Sequence, residues 1–395
     1  MKRLFRSDTV STGLVSTGLA IFSMFFGAGN VVFPLVLGRY AGDQNLYAIT
    51  GFLIMAAGVP FLGLVSMVLF NGDYNQFFGR LGKVASMAVV VASMALIGPF
   101  AAIPRCIALS YTTVKGFLPG TTLFYFSLIS CVIIFLFSYK KSNVVDIIGK
   151  ILSPILLISL IIIIIKGLWS APEALAVYGK RRIFLFEGLV EGYNTMDIFA
   201  GFFFSGVVIA GIRQRLIGSG EVSSKQLIGG ALRAGAIGIS LLGLIYTGFS
   251  YVSAAFGERL AAVDPDALIS AIAFYTLGQY AGILACVAVS LACLTTAIAL
   301  AVVFSDFVRS QVLSNRITYK STLLMTMVVA FAVSNIGFAG IVRMISPVLS
   351  VCYPALIVLA VVNLAHKLWG FRPVKVPVFG TFVVVLAYHL FKAWF

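Results

Sequence analysis

The sequence predicts an all-α, polytopic membrane protein, and three observations carry that reading. Of its 395 residues, 61% are hydrophobic and only 10% are charged, with a mean hydropathy of +1.07, whereas a soluble domain has about a quarter charged residues. Charge-free runs at 44–72, 84–104, 116–139, 234–257, 267–305, 321–342 and 344–366 are each long enough for the roughly 20 residues that a helix needs to cross a hydrocarbon core. These runs do not alternate apolar and polar residues over about ten positions, as a transmembrane barrel strand does.

Eleven helices follow in order, at 10–38, 45–70, 83–114, 121–138, 144–166, 192–213, 226–251, 279–308, 319–336, 341–366 and 376–394. Three of them rest on shorter charge-free runs (151–165, 198–212 and 376–391), whose flanking charges reach the interface by snorkelling. The start, MKRLFRSD, leads into a run too long for a signal-peptide core, so the first helix is expected to be retained. The stretch 256–280 is too polar at its start to span. Asp264-Pro265 followed by Asp266 marks a helix start there, and a short external helix near 264–278 is expected, in a position to form part of a lid.

The net charge of +15 is a topology signal in such a chain, and no nucleic-acid partner is expected. With the N-terminus inside, 18 basic residues fall on the cytoplasmic side, nine on the other, and Arg105 within a helix. Cytoplasmic loops are enriched in Lys and Arg, so a cytoplasmic N-terminus in the cell membrane is favoured. One patch disagrees. GKRR at 179–182 falls outside, in a long loop that also carries Glu173, Glu187 and Glu191.

Helices 1–5 fill residues 1–170 and helices 6–10 fill 171–366, leaving 367–395 for one additional C-terminal helix. Five is odd, so two successive five-helix units enter the membrane from opposite sides, giving the 5+5 inverted repeat common in secondary transporters. This rests on count and spacing, because the halves share no residue-level match. The first helix of each half is broken near the midplane in such folds. Helix 1 contains FSMFFGAGNVVFP at 22–34, and helix 6 carries Gly201 and Gly206 around its middle.

Irregular backbone occurs at membrane depth only inside protein or along a cavity. Gly27, Ala28 and Gly29 allow an unwound turn, and Pro34 leaves the carbonyl of Asn30 without its helical partner. The second half-helix, near Gly29–Val31, then offers amides and partial positive charge to an anion such as a carboxylate. The last carbonyls of the first half, Ser23 to Phe26, are oxygen ligands for a small hard cation. In helix 8, LACLTT at 291–296 places the carbonyl of Ala292 and the hydroxyls of Thr295 and Thr296 on one face. With two carbonyls from helix 1 they make five oxygens suited to sodium. The plainer alternatives are a packing kink in helix 1 and threonines bonded to carbonyls of their own helix.

FSMFFGAGN in helix 1, GPFAAIPR (98–105) in helix 3, EGYNTMD (191–197) at helix 6 and LACLTT in helix 8 together resemble the branched-chain amino acid:cation symporter family, across essentially the whole chain. The resemblance implies a LeuT-type fold and import of Leu, Ile and Val, with Met a further candidate, by sodium symport through alternating access. It differs in one respect, since members are usually drawn with twelve helices. By position, Gly27, Ala28, Gly29 and Asn30 are implied to hold the substrate's carboxylate and amino group through backbone. The implied sodium ligands are the carbonyls of Ser23, Phe26 and Ala292 with the hydroxyls of Thr295 and Thr296. A proton-coupled or uncoupled amino acid permease of the same fold is the alternative.

Other polar residues fall inside the membrane. Arg105 either forms a gate or ion pair with Asp197 or snorkels at the end of helix 3, and Asp197 could instead carry a coupling proton. Asn194 and Thr195 are candidate polar contacts to substrate. Phe202, Phe203 and Phe204 offer an apolar wall, unless they face lipid or core. The cysteines (Cys106, Cys131, Cys286, Cys293, Cys352) have no CxxC spacing and read as small core residues, and His366 and His389 lie too far apart for a metal pair. No organic cofactor and no obligatory protein partner is expected. HExxH, GxSxG and a P-loop are missing, which argues against an enzyme and against ATP-driven pumping.

Overall fold

The computed structural model describes residues 2–115, 120–139, 153–171, 181–216 and 224–394, and every regular element among them is a helix. The start of the expected fifth helix (144–152), Lys140, Lys141, Lys150, Glu173 and the first half of GKRR lie outside these residues. Among the described residues, five helices are long and apolar enough to cross a membrane, six if one bent pair counts as a span, and shorter apolar helices accompany them.

The first span is divided into α1 (Lys2–Phe25) and α2 (Ala28–Ala41). The interruption is shorter than expected. Only Phe26 and Gly27 lie outside the helices, Gly27 with extended backbone (φ −109°, ψ −162°), and Gly29 and Asn30 already belong to the first turn of α2. The helix restarts quickly because Asn30 Oδ1 accepts the Gly27 N–H at 3.1 Å, the reach-back half of a capping box.

The second span comprises α3 (Asn45–Leu53) and α4 (Val59–Leu69), joined by a π-turn at Ile54–Gly58. A short helix α5 (Tyr74–Gly79) follows, capped by Asp73. The expected continuous helix 83–114 is instead two, α6 (Lys83–Ile97) and α7 (Ala102–Lys115). Pro99 has no N–H to continue the ladder, and the chain resumes helix only after Ala101. Next come α8 (Leu123–Ser138) and α9 (Ser153–Trp169).

The sixth span departs most from expectation. It is a pair, α10 (Arg181–Asn194) and α11 (Asp197–Leu216), bent by 45° at Thr195–Met196. Residues 181–191, expected to belong to a polar loop, are therefore helical, and the break is not at Gly201 or Gly206. Met196 adopts a left-handed φ of 68°, while Thr195 Oγ1 donates back to the carbonyl of Gly192 at 2.9 Å. Gly201 serves packing instead, since a Cβ there would lie 2.4 Å from the carbonyl oxygen of Pro60.

Beyond it lie α12 (Ser224–Ala255), α13 (Gly257–Leu260), a 3-10 turn at Pro265–Ala267 and α14 (Leu268–Phe307). Gly278, with φ 74° and ψ −174°, kinks α14, so the short helix expected near 264–278 is its first part. Arg39 Nη1 donates to the carbonyls of Leu260 and Val263, and Thr112 Oγ1 to Asp266 Oδ2 at 2.9 Å. These bonds hold the 256–267 segment against α2 and α7. The chain ends with α15 (Tyr319–Ser334), α16 (Phe338–Trp369) and α17 (Lys375–Trp394), close to the expected positions, and α17 packs on α16.

Apolar side chains cover the outside as well as the core. Tyr125, Ile129 and Leu136 on α8 and Val383, Val384 and Phe391 on α17 are exposed, as suits contact with lipid tails. Between helices, small residues allow close approach. A Cβ on Gly51 of α3 would lie 2.1 Å from the carbonyl oxygen of Leu185, and one on Gly188 of α10 would lie 2.0 Å from that of Ala48. Gly188→Ala is therefore expected to cost about 1–3 kcal/mol through forced separation of the helices, read as a lower thermal midpoint in detergent. Gly380→Ala, with nothing within 4 Å, should leave the midpoint unchanged or slightly raised.

Candidate functional site

The interruptions in the first and sixth spans face each other across a buried polar cluster. Asn30, on the first turn of α2, donates its Nδ2 to Asp197 Oδ2 at the start of α11 and to the hydroxyl of Tyr246 on α12. The Tyr246 hydroxyl also donates to Asp197 Oδ2 at 3.4 Å. One carboxamide thus reaches the cap of its own helix through Oδ1 and the other interruption through Nδ2. The backbone N–H of Ile198 donates to the Tyr353 hydroxyl on α16 at 3.2 Å, which satisfies a first-turn amide of α11.

Arg105 approaches the same place from the first turns of α7 and is 4% exposed, as is Asp197. Its Nη1 donates to the carbonyl of Asn194 at 3.1 Å and contacts Met196 Sδ at 3.0 Å, which holds the left-handed turn from outside. Its guanidinium lies over the rings of Phe33 and Phe338, at 5.3 and 5.7 Å. The expected ion pair with Asp197 is absent, because each group is turned to other partners, and burial also excludes a snorkelling arginine. Nη2 is buried without a hydrogen-bond partner. It sits where a Cβ on residue 29 would be, 2.6 Å from that position, so glycine there makes room for the guanidinium.

A cavity of about 40 Å³ lies between these groups. A single water requires roughly 10–15 Å³ on the same measure. Gly27, Ala28, Gly29, Asn30, Arg105, Thr195, Asp197 and Thr296 line it, with Met24, Phe25, Ile97, Phe204 and Leu300 on its apolar side. Asn194 contributes its carbonyl to Arg105, while its side chain turns to Glu191 Oε2 at 3.1 Å. Phe202 and Phe203 do not form the wall. Phe202 packs on Phe77 and Phe78, and Phe203 on Tyr74 and Phe78, whereas Phe204 meets Phe25. Consecutive helical residues are about 100° apart, so one phenylalanine of the three faces the cavity and its neighbours face α5.

Five oxygens gather beside the cavity. Thr295 Oγ1 lies 3.0 Å from the carbonyl oxygen of Ala292 and 3.3 Å from that of Ser23. Thr296 Oγ1 lies 3.3 Å from Ser23 O and 3.1 Å from Phe26 O. Each hydroxyl has one proton, so two protons are shared among these contacts, and Ser23 Oγ is buried with no partner at all. Cation–oxygen bonds of about 2.3–2.6 Å set at right angles place oxygens about 3.3–3.7 Å apart. A slight expansion of this set would therefore admit a hard monovalent cation. Among the described residues there is no cluster of His, Cys, Asp or Glu fit for a metal ion.

Sequence reasoning missed Tyr246 and Tyr353. Both are fully buried, and a tyrosine in an apolar run is a signal, since its hydroxyl needs a partner at depth. The signal for α10 was Gly188-x-x-x-Gly192, a small-residue packing face obscured by the charges of Glu187 and Glu191.

Residues 11–393 match the model of the family described as branched-chain amino acid transport protein. The chain is 32% identical over 370 residues to the branched-chain amino acid permease BrnQ of Bacillus subtilis (strain 168), covering 90% of this chain and 82% of that one. Among solved structures it resembles Mhp1, a nucleobase-cation-symport-1 family transporter, in a closed conformation with bromovinylhydantoin bound, with a TM-score of 0.63 and 15% identity over 91% of this chain and 79% of the other. It also resembles MhsT in complex with L-phenylalanine, with a TM-score of 0.59 and 17% identity over 95% and 98%. These neighbours have the LeuT-type fold, and the chain shares it.

The hydrogen-bond arrangement sets an order of stabilities. Asn30→Ala leaves both the Gly27 N–H and Asp197 short of a partner, and each buried loss costs about 1–3 kcal/mol. Tyr246→Phe removes one long donor to Asp197 and the acceptor of one Asn30 N–H but keeps the Gly27 cap and the Asn30–Asp197 bond, and is expected to cost only about 1–3 kcal/mol in all. Thermal unfolding of the purified variants in detergent should rank Asn30→Ala well below Tyr246→Phe.

Proposed function

Since the chain belongs to the branched-chain amino acid transport protein family and is a multi-pass membrane transporter rather than an enzyme, we propose that it imports Leu, Ile and Val by sodium symport through alternating access. The observation that carries the proposal is the five-oxygen set, which shares Thr296 with the cavity. A cation bound there would order Ser23, Phe26 and Thr296, and with them the interruption in the first span that also borders the cavity. Binding of either solute would thereby favour binding of the other, which is the linkage that symport requires.

The amino acid would lie between the interruptions, its charged end near Gly27, Ala28, Gly29, Asn30 and Thr195 and its aliphatic side chain toward Phe25, Phe204, Ile97 and Leu300. The first-turn amides of α2 favour an anionic group. We place the N-terminus on the cytoplasmic side of the cell membrane, in line with the basic-residue asymmetry, and assign residues 1–170 and 171–366 to two inverted repeats. One sodium with one zwitterion moves a single positive charge inward. A potential of 100 mV contributes about 2.3 kcal/mol and a tenfold sodium gradient about 1.4 kcal/mol. Together these sustain accumulation of a few hundredfold without ATP.

A second reading, proton coupling, is favoured by Asp197, a buried carboxylate whose hydrogen-bonding partners Asn30 and Tyr246 are neutral. Uptake of labelled leucine into proteoliposomes, under an inward sodium gradient or an equal potassium gradient at fixed pH, separates the two. Sodium-dependent accumulation is expected. Thr295→Ala and Thr296→Ala should each raise the sodium concentration for half-maximal uptake by about tenfold or more, the loss of one hydrogen bond or ligand to a charged group. Uptake that ignores sodium and follows an imposed pH gradient would overturn the sodium assignment in favour of Asp197.

A further inference from the structure

Arg105 and Asp197 are opposite charges buried at the edge of one cavity, yet they do not pair. Arg105 uses Nη1 on the carbonyl of Asn194 and on Met196 Sδ, and leaves Nη2 buried with no hydrogen-bond partner. Asp197 receives only neutral donors at Oδ2, from Asn30 and Tyr246. A buried charge is strongly unfavourable unless it is paired and hydrogen-bonded. Both groups border the cavity, and both are 4% exposed, so solvent does not compensate them. What completes such a pair is a ligand carrying one charge of each sign.

We infer that Arg105 and Asp197 are the counter-ions for the two ends of a zwitterionic α-amino acid: Arg105 takes the α-carboxylate through Nη2 and Asp197 takes the α-ammonium. This rests on the amino acid reading above and deepens it, because it moves recognition of the charged end from backbone alone to two ionised side chains. Nη2 lies against Gly29, so the carboxylate it binds also meets the amides that open α2, where helix dipole and guanidinium act in the same sense. Asp197 opens α11 across the cavity and supplies the opposite pole. The apolar side, with Met24, Phe25, Ile97, Phe204 and Leu300, receives an uncharged aliphatic chain. The site as a whole stays electrically balanced when a zwitterion enters, whereas a ligand with one charge leaves either Arg105 or Asp197 unmatched.

The inference is tested with full-length protein in detergent or proteoliposomes, using leucine, leucinamide (no carboxylate) and 4-methylpentanoate (no ammonium) as competitors of labelled leucine. For the unaltered protein both analogues should compete about 100-fold or more weakly than leucine, since a site built to bind a polar group rejects a ligand lacking it. Arg105→Gln should bring leucine down to the level of leucinamide while discrimination against 4-methylpentanoate persists. Asp197→Asn should do the reverse. This crossed change in selectivity is not produced by a residue that merely supports the fold. Arg105→Lys, which keeps the charge, should retain part of the preference for the carboxylate. If Arg105→Gln fails to fold, the analogue series on the unaltered protein and on Arg105→Lys still decides. Competition by either analogue within tenfold of leucine, or variants that keep the original selectivity, would overturn the inference while leaving leucine transport intact. An unaltered protein that neither binds nor transports leucine would overturn the amino acid reading itself, and this inference with it.

Discussion

The carboxamide of Asn30 joins the two places where the membrane helices are interrupted. Its oxygen accepts the amide of Gly27, so only two residues separate α1 from α2, and its nitrogen bonds Asp197 and Tyr246 on the far side of the cavity. Backbone groups freed at membrane depth cost several kcal/mol each if left unmatched. The interruptions are tolerable because side chains meet the freed groups, Asn30 at the first and Thr195, Arg105 and Tyr353 at the second. Asn30, Arg105 and Thr296 of the oxygen set all border the one cavity between these breaks.

The two halves of the site differ in electrical character. The oxygen set around Thr295 and Thr296 contains carbonyls and hydroxyls without a formal charge, so a bound cation there would keep its full charge and any counter-charge must come from elsewhere. The cavity beside it holds one guanidinium and one carboxylate. Thr296 belongs to both sets. A cation and a zwitterion would meet at this residue through a shared wall, with no direct contact needed between the two solutes.

Much of the helical layout was legible in the sequence because lipid imposes a simple rule: about 20 apolar residues per span, with charges at the ends. The interruption in the first span was legible for the same reason, since Gly27 conflicts with an uninterrupted helix, whereas Pro34 is accommodated within α2. The sixth span was not. Its break falls at Thr195–Met196, where no residue type announces a left-handed turn, and Met196 is held there by a side chain from α7, a contact that no local pattern contains. The charges of Glu187 and Glu191 conceal α10, and Pro99 breaks the third helix inside a run whose hydropathy stays high throughout. At the site, the glycines, Asn30, Thr195 and the oxygen donors come together, because main-chain chemistry and helical spacing fix them. The aromatic wall was misassigned, because a run of three phenylalanines gives composition and no direction, and Tyr246 and Tyr353 lie far along the chain from the motifs they complete.

The span 45–69 runs beside the sixth span along both of its parts. Gly188 and Gly192 of α10 press their backbone against residues 48–56, and Gly201 of α11 presses against Pro60 and Leu64. The π-turn at Ile54–Gly58 begins within the first of these zones and ends just before the second. The second span is thus a splint laid along a fracture. A splint held by backbone contact on both sides of the break leaves little freedom for α10 to swing relative to α11. Both parts of the sixth span thus share one backing, gripped by backbone contact above and below the fracture.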